Sequence, residues 1–143
     1  MGYTIHSTAD YHLADIDTLG WELTVCNALH SPESPCRSAL TRNASYGEHL
    51  YDFLAGFMPI GEFTRIMEIG GGYGILMKEF LRKRRGTRAT MLDISPFLLS
   101  KQQETLAGFN VSYVWADFLA VEEDIIQGND LVVLNENLGD FPM

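Results

Sequence analysis

Cysteine is scarce, histidine is scattered, and long apolar runs are missing from this chain of 143 residues. The two cysteines, Cys26 and Cys36, form no CxxC pair and have no set of histidines nearby, so we expect reduced thiols and no metal site. No apolar stretch approaches the roughly 18 residues of a membrane span. The N-terminus also lacks the basic and apolar segments of a signal peptide. These absences predict a cytoplasmic protein without a membrane partner.

Positive charge is scarce as well. Lys and Arg number 10 against 19 Asp and Glu, which gives a net charge of -9. Because a nucleic-acid binder needs a basic face to neutralise phosphates, this balance predicts no nucleic-acid partner. Five of the 10 basic residues fall within RKRRGTR, residues 82–88. The cluster is short and has no interleaved aromatic residues, so we interpret it as a solvated helix end rather than an anion or RNA site.

The first 63 residues are predicted to be helical and irregular. One helix is expected within residues 21–30 and another within residues 45–58, with the proline-containing break SPESPC between them. The second helix carries an apolar stripe at helical spacing, which favours core over the lining of a substrate pocket. The stripe consists of Tyr46, Leu50, Phe53, Leu54 and Phe57. Pro59 and Gly61 are expected to end this helix.

Beyond residue 63 the pattern changes to an alternation of strands and helices. Strands are predicted at residues 65–69, 88–93, 111–117 and 130–136. Helices are predicted at residues 75–85 and 95–108, and a short helical turn at residues 121–128. Such alternation implies parallel strands joined by right-handed crossovers. The chain is therefore expected to divide into a helical segment, residues 1–63, and an α/β unit with a doubly wound parallel sheet, residues 64–143.

Four glycines fall within the eight positions of MEIGGGYG, residues 67–74, where the first strand turns into a helix. A bare backbone lets a ligand approach the main chain beside the positive end of a helix, as nucleotide cofactors do. Ile75 occupies the third glycine site of the dinucleotide pattern G-x-G-x-x-G. The glycines instead follow a G-x-G-x-G spacing at Gly70, Gly72 and Gly74.

Glu68 precedes these glycines at the end of a buried strand, where a carboxylate is costly without a partner. The pyrophosphate of a dinucleotide would repel it, whereas a cationic cofactor would be attracted. S-adenosylmethionine carries a sulfonium and an ammonium group and no phosphate. The segment EIGGGYG resembles the first motif of the class I S-adenosylmethionine-dependent methyltransferases. This resemblance implies that Glu68, Gly70, Gly72 and Gly74 belong to a site for S-adenosylmethionine.

The ends of the next two strands fit the same resemblance. It implies that Asp93 accepts hydrogen bonds from the ribose hydroxyls and that Ile94 gives the adenine an apolar face. It also implies that Asp117 accepts from the adenine amino group and that the backbone N–H of Phe118 donates to the ring. Each carboxylate has a simpler reading: Asp93 as a turn residue and Asp117 as a helix cap. Carboxylates at the ends of three successive strands favour the cofactor site.

The segment LNENLGDFP, residues 134–142, is similar to a segment of the MidA-like methyltransferases, a family linked to protein arginine methylation and mitochondrial complex I assembly. DISPFLLSKQQETL, residues 93–106, is also similar to that family. This chain has Asp93 where the family commonly has Glu, and Gly139 where its motif has Asp. The resemblance implies a methyltransferase whose acceptor is not identified by the sequence, with protein arginine as one candidate.

Asn135 and Glu136 follow the fourth predicted strand, beside the expected position of the methyl donor. They are our candidate catalytic residues. Asn135 is expected to hydrogen-bond the nucleophile or the cofactor. Glu136 is expected to orient a guanidinium or to accept a proton, and its alternative is a solvated loop carboxylate.

The resembled family has a seven-stranded sheet in the order 3-2-1-4-5-7-6, whereas this sequence stops just past the fourth predicted strand. We therefore expect an incomplete Rossmann-like sheet of about four strands, preceded by N-terminal helices, in either a piece of a longer protein or a reduced one. A fourth strand without its neighbour predicts a homo-oligomer, most simply a dimer. Two alternatives stay open: a non-catalytic Rossmann-like interaction module and, disfavoured by Glu68 and Ile75, an NAD-binding oxidoreductase domain.

Overall fold

The computed structural model of the protein describes residues 25–30, 33–40 and 43–137. The N-terminal part of the first predicted helix and the end of the LNENLGDFP segment, including Gly139, lie outside these residues. The described helices are α1 (Val25–His30), α2 (Tyr46–Ala55), α3 (Ile75–Lys83), α4 (Pro96–Thr105) and α5 (Glu123–Ile126). The strands are β1 (Arg65–Ile69), β2 (Arg88–Asp93), β3 (Val111–Trp115) and β4 (Leu131–Val133). Short 3₁₀ helices occupy Pro35–Ala39, Ile60–Glu62 and Phe118–Ala120.

The four strands form one parallel sheet in the order β3-β2-β1-β4. This order is the first part of the strand order that the class I resemblance implies, and the predicted doubly wound sheet is confirmed. In the register, Ile69 of β1 lies opposite Leu92 of β2, and Asp93 lies opposite Trp115 of β3. Because all the strands run in one direction, their carboxyl ends meet at a single edge of the sheet.

Each face of the sheet carries its own apolar cluster. On one face, Ile66 and Met91 pack with Leu76 and Phe80 of α3. On the other face, Met67, Ile69 and Leu92 form a smaller cluster. The partly buried side chains against that second cluster come from β3, from the segment between β3 and β4, and from β4 and the residue after it: Val114, Phe118, Val121, Ile126, Val132 and Leu134. The second face is therefore the thinner of the two within the described residues.

Local sequence signals explain where the helices begin. At α2, the Ser45 side chain accepts from the N–H of Glu48, and the Glu48 carboxylate accepts from the N–H of Ser45, which completes a capping box. Helix α4 begins with a simpler cap. The Ser95 side chain accepts from the N–H of Leu98, and Pro96 occupies the first turn. The predicted cap at Ser95 is confirmed.

The predicted core stripe of α2 is only partly right. Tyr51, which the stripe omitted, is buried and packs edge-on against Phe80 of α3. Phe53 and Phe57 are 61% and 75% exposed, and their rings contact each other instead of the core. The helix also ends at Ala55 with Gly56 as its cap, before the predicted stop at Pro59. Tyr46, Leu50 and Leu54 of the stripe do pack against the core cluster that contains α3, so the stripe is wrong only at its two phenylalanines.

The basic cluster RKRRGTR lies at a solvent-exposed helix end, as the sequence predicted. Residues 82–86 are exposed at the end of α3 and the turn that follows. Arg82 pairs with Glu79 at 2.8 Å, and Lys83 pairs with Asp52 of α2 at 3.2 Å. Helix α3 ends at Lys83, a little before the predicted stop at Gly86. In the part of the chain that the structure describes, no helix has the length and apolarity needed to cross a membrane.

Strand β4 is shorter than predicted and lies at the edge of the sheet. It spans Leu131–Val133 rather than residues 130–136, and its residues are half-buried rather than fully buried. Within the described residues it pairs only with β1. The lower burial follows from this position, since a strand with one neighbour cannot be covered as completely as an interior strand.

We expect the edge of β4 that has no partner strand within the described residues to mediate self-association, because backbone N–H and C=O groups at such an edge, beside apolar side chains, are a template for another strand. Light scattering at low micromolar concentration should show a dimer, and Val132→Lys should return it to a monomer. The matched control is Val111→Lys, which places the same charge on the other edge strand, β3. A monomeric parent, or a size that Val132→Lys leaves unchanged, would contradict this expectation.

Candidate cofactor site at the carboxyl edge of the sheet

The glycine segment forms a tight loop between β1 and α3. The N–H of Gly70 donates to the carbonyl of Leu92 at 2.8 Å, which joins the start of the loop to β2. The N–H of Gly74 donates to the carbonyl of Gly71 at 2.8 Å, and α3 begins at the next residue. The loop therefore leads into the N-terminus of α3, where unpaired amides and the helix dipole favour negative groups of a ligand.

The three predicted glycines all have left-handed backbones. Their φ values are 61° at Gly70, 53° at Gly72 and 77° at Gly74, a region that other residues occupy only with strain. No atom of the described residues lies within 4 Å of a Cβ placed on Gly72, so this glycine faces open space. A Cβ on Gly70 would lie 2.6 Å from the amide nitrogen of Asn137. The glycine at 72 is thus the one that leaves room for a ligand.

Glu68 lies beneath this loop. Its side chain is 2% exposed, and a Cβ on Gly71 would come within 2.9 Å of its Oε2. That oxygen has no hydrogen-bond partner among the described residues. Burial raises the pKa of Glu68 to about 8, against a smaller lowering by the backbone amide of Met77 in the first turn of α3. A buried carboxyl group with a free acceptor, directly under the loop, is suited to a cationic neighbour.

Asp93 ends β2 on the same face of the sheet and is 3% exposed. Its Oδ1 accepts from the N–H of Ser95 at 2.9 Å, and its Oδ2 accepts from the Nε2 of Gln102 at 2.9 Å. Burial raises the pKa of Asp93 to about 6, while these hydrogen bonds and the backbone amide of Ile94 lower it. The hydrogen bond from Ser95 therefore supports the interpretation of Asp93 as a turn residue. Each oxygen keeps a second lone pair, which leaves acceptor capacity for a ligand.

The adenine candidates lie around the ends of β2 and β3. The carbonyl of Ile94 accepts from the indole N–H of Trp115 at 2.9 Å, and the Ile94 side chain is half-buried. Asp117 is exposed and caps the 3₁₀ helix Phe118–Ala120, because its Oδ1 accepts from the N–H of Leu119 at 2.9 Å. Phe118 packs on the thinner face of the sheet. Asp117 therefore acts as a helix cap, as one of its two interpretations proposed. Its hydrogen bond to adenine stays a prediction.

The catalytic candidates follow β4 at the same edge. Asn135 Oδ1 accepts from the hydroxyl of Tyr46 at 2.8 Å, which links this segment to the first residue of α2. Glu136 is exposed and has a φ of 66°, the one left-handed backbone at a non-glycine residue in the described part of the chain. Such a conformation costs about 1–3 kcal/mol, and strained backbones of this kind cluster at functional sites.

Two buried side-chain amides in the site were not predicted from the sequence. The amide nitrogen of Asn137 donates to the carbonyl of Ile69 and lies over Gly70, joining the segment after β4 to the end of β1. Gln102 of α4 donates to the carbonyl of Gly72 and to Asp93. The sequence does contain a signal for Gln102, because it interrupts the buried stripe of Leu98, Leu99 and Leu106. Asn137 has no comparable signal.

Residues 52–143 match a family model described as "Putative S-adenosyl-L-methionine-dependent methyltransferase". A curated relative is the ribosomal RNA small subunit methyltransferase A of Deinococcus radiodurans. It is 35% identical over 81 residues, which cover 57% of this chain and 26% of the relative. The chain thus spans about a quarter of the length of the curated relative it matches.

Two solved structures extend the likeness over most of the chain. The magnesium protoporphyrin IX methyltransferase (ChlM) of Synechocystis PCC 6803 with bound SAM has a TM-score of 0.59 at 15% identity, covering 99% of this chain and 67% of that one. The plantazolicin methyltransferase BpumL in complex with SAH has a TM-score of 0.56 at 14% identity, covering 88% and 44%. At these identities the likeness establishes the fold alone. With the family model matching well over half of its residues, the chain belongs to the S-adenosyl-L-methionine-dependent methyltransferases of the class I fold.

Proposed function

We propose that this chain is the cofactor-binding portion of a methyltransferase and that S-adenosylmethionine binds across the carboxyl ends of β1, β2 and β3. The observation that carries the proposal is the pairing of Gly72 with Glu68. Above the loop, Gly72 has a left-handed backbone and open space where a side chain would lie. Below the loop, Glu68 is buried with an unpartnered oxygen. Room for a ligand and a buried carboxyl group with an unused acceptor oxygen meet at the same turn of backbone.

The residues present fit the chemical groups of the cofactor. Glu68 offers a buried carboxyl group under the loop, and a sulfonium or ammonium group beside it would favour the ionised form of that carboxyl. The N-terminus of α3 offers amides to a carboxylate. Asp93 offers one lone pair on each oxygen to ribose hydroxyls, and Ile94 offers an apolar surface beside it. When bound, S-adenosylmethionine supplies an electrophilic methyl group, so the protein contributes binding and orientation.

Asn135 and Glu136 are the residues that we assign to the acceptor side. The contact between Tyr46 and Asn135 fixes the segment after β4 against α2. The left-handed backbone of Glu136 holds its exposed carboxylate at the carboxyl edge of the sheet. A carboxylate in this place can orient a cationic nucleophile or accept the proton that it releases. Site-directed replacement of Glu136 by Gln should therefore affect acceptor turnover more than cofactor affinity.

The acceptor itself is not identified. The MidA-like resemblance suggests protein arginine, and a guanidinium would suit Glu136. The named relatives differ among themselves: one methylates ribosomal RNA, one is a magnesium protoporphyrin IX methyltransferase, and one is a plantazolicin methyltransferase. The net charge of -9 favours a cationic or neutral acceptor over a polyanion. We keep the prediction of no nucleic-acid partner on that ground.

Calorimetric titration of the 143-residue chain with S-adenosylhomocysteine and, separately, with NADH tests the proposed function. We expect one molecule of S-adenosylhomocysteine per chain and no heat of binding from NADH. Binding of NADH alone would instead support the oxidoreductase alternative. The absence of binding by either compound at millimolar concentration would support the non-catalytic interaction module.

The ribose assignment predicts that Asp93→Ala weakens S-adenosylhomocysteine binding by about 10- to 100-fold. The reason is that a hydrogen bond to a charged group contributes about 1.5–3 kcal/mol. The matched control is Asp124→Ala, which removes an exposed carboxylate from α5. Calorimetry on both variants decides the question: equal affinities in Asp93→Ala and the parent would show that this carboxylate does not hold the ribose.

A further inference from the structure

Gln102 is a fully buried polar residue in the middle of α4, with 0% of its side chain exposed. Its neighbours on the buried face of the helix are apolar, and Leu106 is 1% exposed. A leucine at position 102 would continue this apolar stripe without the cost of burying an amide. The presence of glutamine is therefore not explained by packing of the helix on the sheet.

Both amide hydrogens of Gln102 are used in the cofactor site. Nε2 donates to the carbonyl of Gly72 at 2.9 Å and to Oδ2 of Asp93 at 2.9 Å. The orientation of the amide follows from these partners, because a reversed amide would place Oε1 against two acceptors. In the orientation observed, Oε1 is buried and has no partner among the described residues. The side chain thus gives up one of its own hydrogen bonds while satisfying two groups of the site.

The two groups that Gln102 joins come from different elements and are proposed to bind different parts of the cofactor. Gly72 lies in the loop after β1, at the point that faces open space. Asp93 ends β2, and its other oxygen is held by the N–H of Ser95. With Ser95 on one oxygen and Gln102 on the other, the plane of the carboxylate is fixed. The carbonyl of Gly72 is drawn toward α4 by the same amide.

We propose that Gln102 is a positioning residue that locks the glycine loop and the Asp93 carboxylate into one geometry, so that both bind the cofactor together. This inference rests on the proposed function for its ligand. Its structural content, the coupling of the loop to Asp93, holds for the chain without ligand. Burial opposes the ionised form of Asp93, and the hydrogen bond from Gln102 favours it.

The test uses Gln102→Met, which preserves the shape of the side chain and removes both donors. The matched control is Gln103→Met, the same change at the exposed neighbouring position of α4. In the chain without ligand, carbon-13 NMR should show the titration midpoint of Asp93 raised by about one pH unit in Gln102→Met. Amide hydrogen exchange should become faster at residues 72–74. The affinity for S-adenosylhomocysteine should fall at least about 10-fold, which corresponds to about 1.4 kcal/mol.

The control variant should match the parent in all three measurements. An unchanged Asp93 midpoint together with unchanged exchange in the loop would overturn the inference, whatever the affinity for the cofactor. If the parent chain does not bind S-adenosylhomocysteine but both ligand-free measurements change as expected, the proposed function fails and the coupling stands. Should Gln102→Met fail to fold, Gln102→Leu replaces it, because leucine also removes both donors and continues the apolar stripe of α4. An unchanged Asp93 midpoint and unchanged loop exchange in Gln102→Leu would also overturn the inference.

Discussion

Replacing Gly72 with valine is expected to abolish binding of S-adenosylhomocysteine while leaving the fold largely intact. A Cβ at this position would enter open space rather than the core, so nothing in the described residues needs to move. That space is where the proposed cofactor approaches the backbone. The left-handed φ of 53° adds conformational strain for any residue with a Cβ, and most for a β-branched one. The strain lowers the stability of the folded chain, and the obstruction acts on the ligand.

The control for this prediction is Gly108→Val. Gly108 also has a left-handed backbone, with a φ of 88°, and no atom of the described residues lies within 4 Å of its Cβ position. It follows α4, away from the carboxyl edge of the sheet. Both variants should therefore lose comparable thermal stability, and only Gly72→Val should lose binding by calorimetry. Normal binding by Gly72→Val would remove the reason given for the glycine loop.

The stability of the chain should fall as the pH rises from 6 to 8, and Glu68→Gln should remove most of that fall. The pKa of Glu68 is raised to about 8 in the folded protein from 4.5. The folded state therefore holds a proton that the unfolded state has lost. Stability from this group is fully present below about pH 4.5 and is lost as the pH approaches 8, at about 1.4 kcal/mol per unit. Asp93 has a pKa of about 6 in the folded protein, so its own effect on stability falls mostly below pH 6, outside the measured range.

Urea unfolding of the parent and of Glu68→Gln at pH 6, 7 and 8 measures this dependence. The glutamine side chain keeps an acceptor for the Met77 amide and carries no charge at any of these values. The matched control is Glu62→Gln, an exposed carboxylate of the 3₁₀ helix before β1, which should retain the slope of the parent. Equal slopes in Glu68→Gln and the parent would contradict the burial of an ionisable group at this position.

The order of elements was predictable because β-branched and apolar runs, glycine loops and helix caps are local signals. The strands at residues 65–69 and 88–93 have their predicted bounds, and Ser95 caps α4 as expected. The bounds of β4 were not predictable, since they depend on which strand lies beside it. The exposure of Phe53 and Phe57 also depends on the crossing of α2 over α3, which helical spacing does not encode.

For the site, residues at strand ends were predictable, and the residues that support them were not. The positive φ values at Gly70, Gly72 and Gly74 agree with a loop that needs bare backbone. The sequence also allowed Asp117 to be a helix cap and Asp93 to be a turn residue. Both side chains make the corresponding hydrogen bonds to backbone N–H groups. Gln102 and Asn137 reach the loop from elements far along the chain. Only the tertiary structure brings such residues together.

The most direct test of the cofactor site is a ¹H–¹⁵N NMR titration of the chain with S-adenosylhomocysteine, which detects binding up to millimolar dissociation constants. The largest shifts are expected at Gly70, Gly72 and Gly74 and at the amides after β2 and β3. The amide signals of the basic cluster at residues 82–86, at the far end of α3, should not shift. Shifts centred on that cluster, or no shifts at the glycine loop at saturating ligand, would contradict a cofactor site at the carboxyl edge of the sheet.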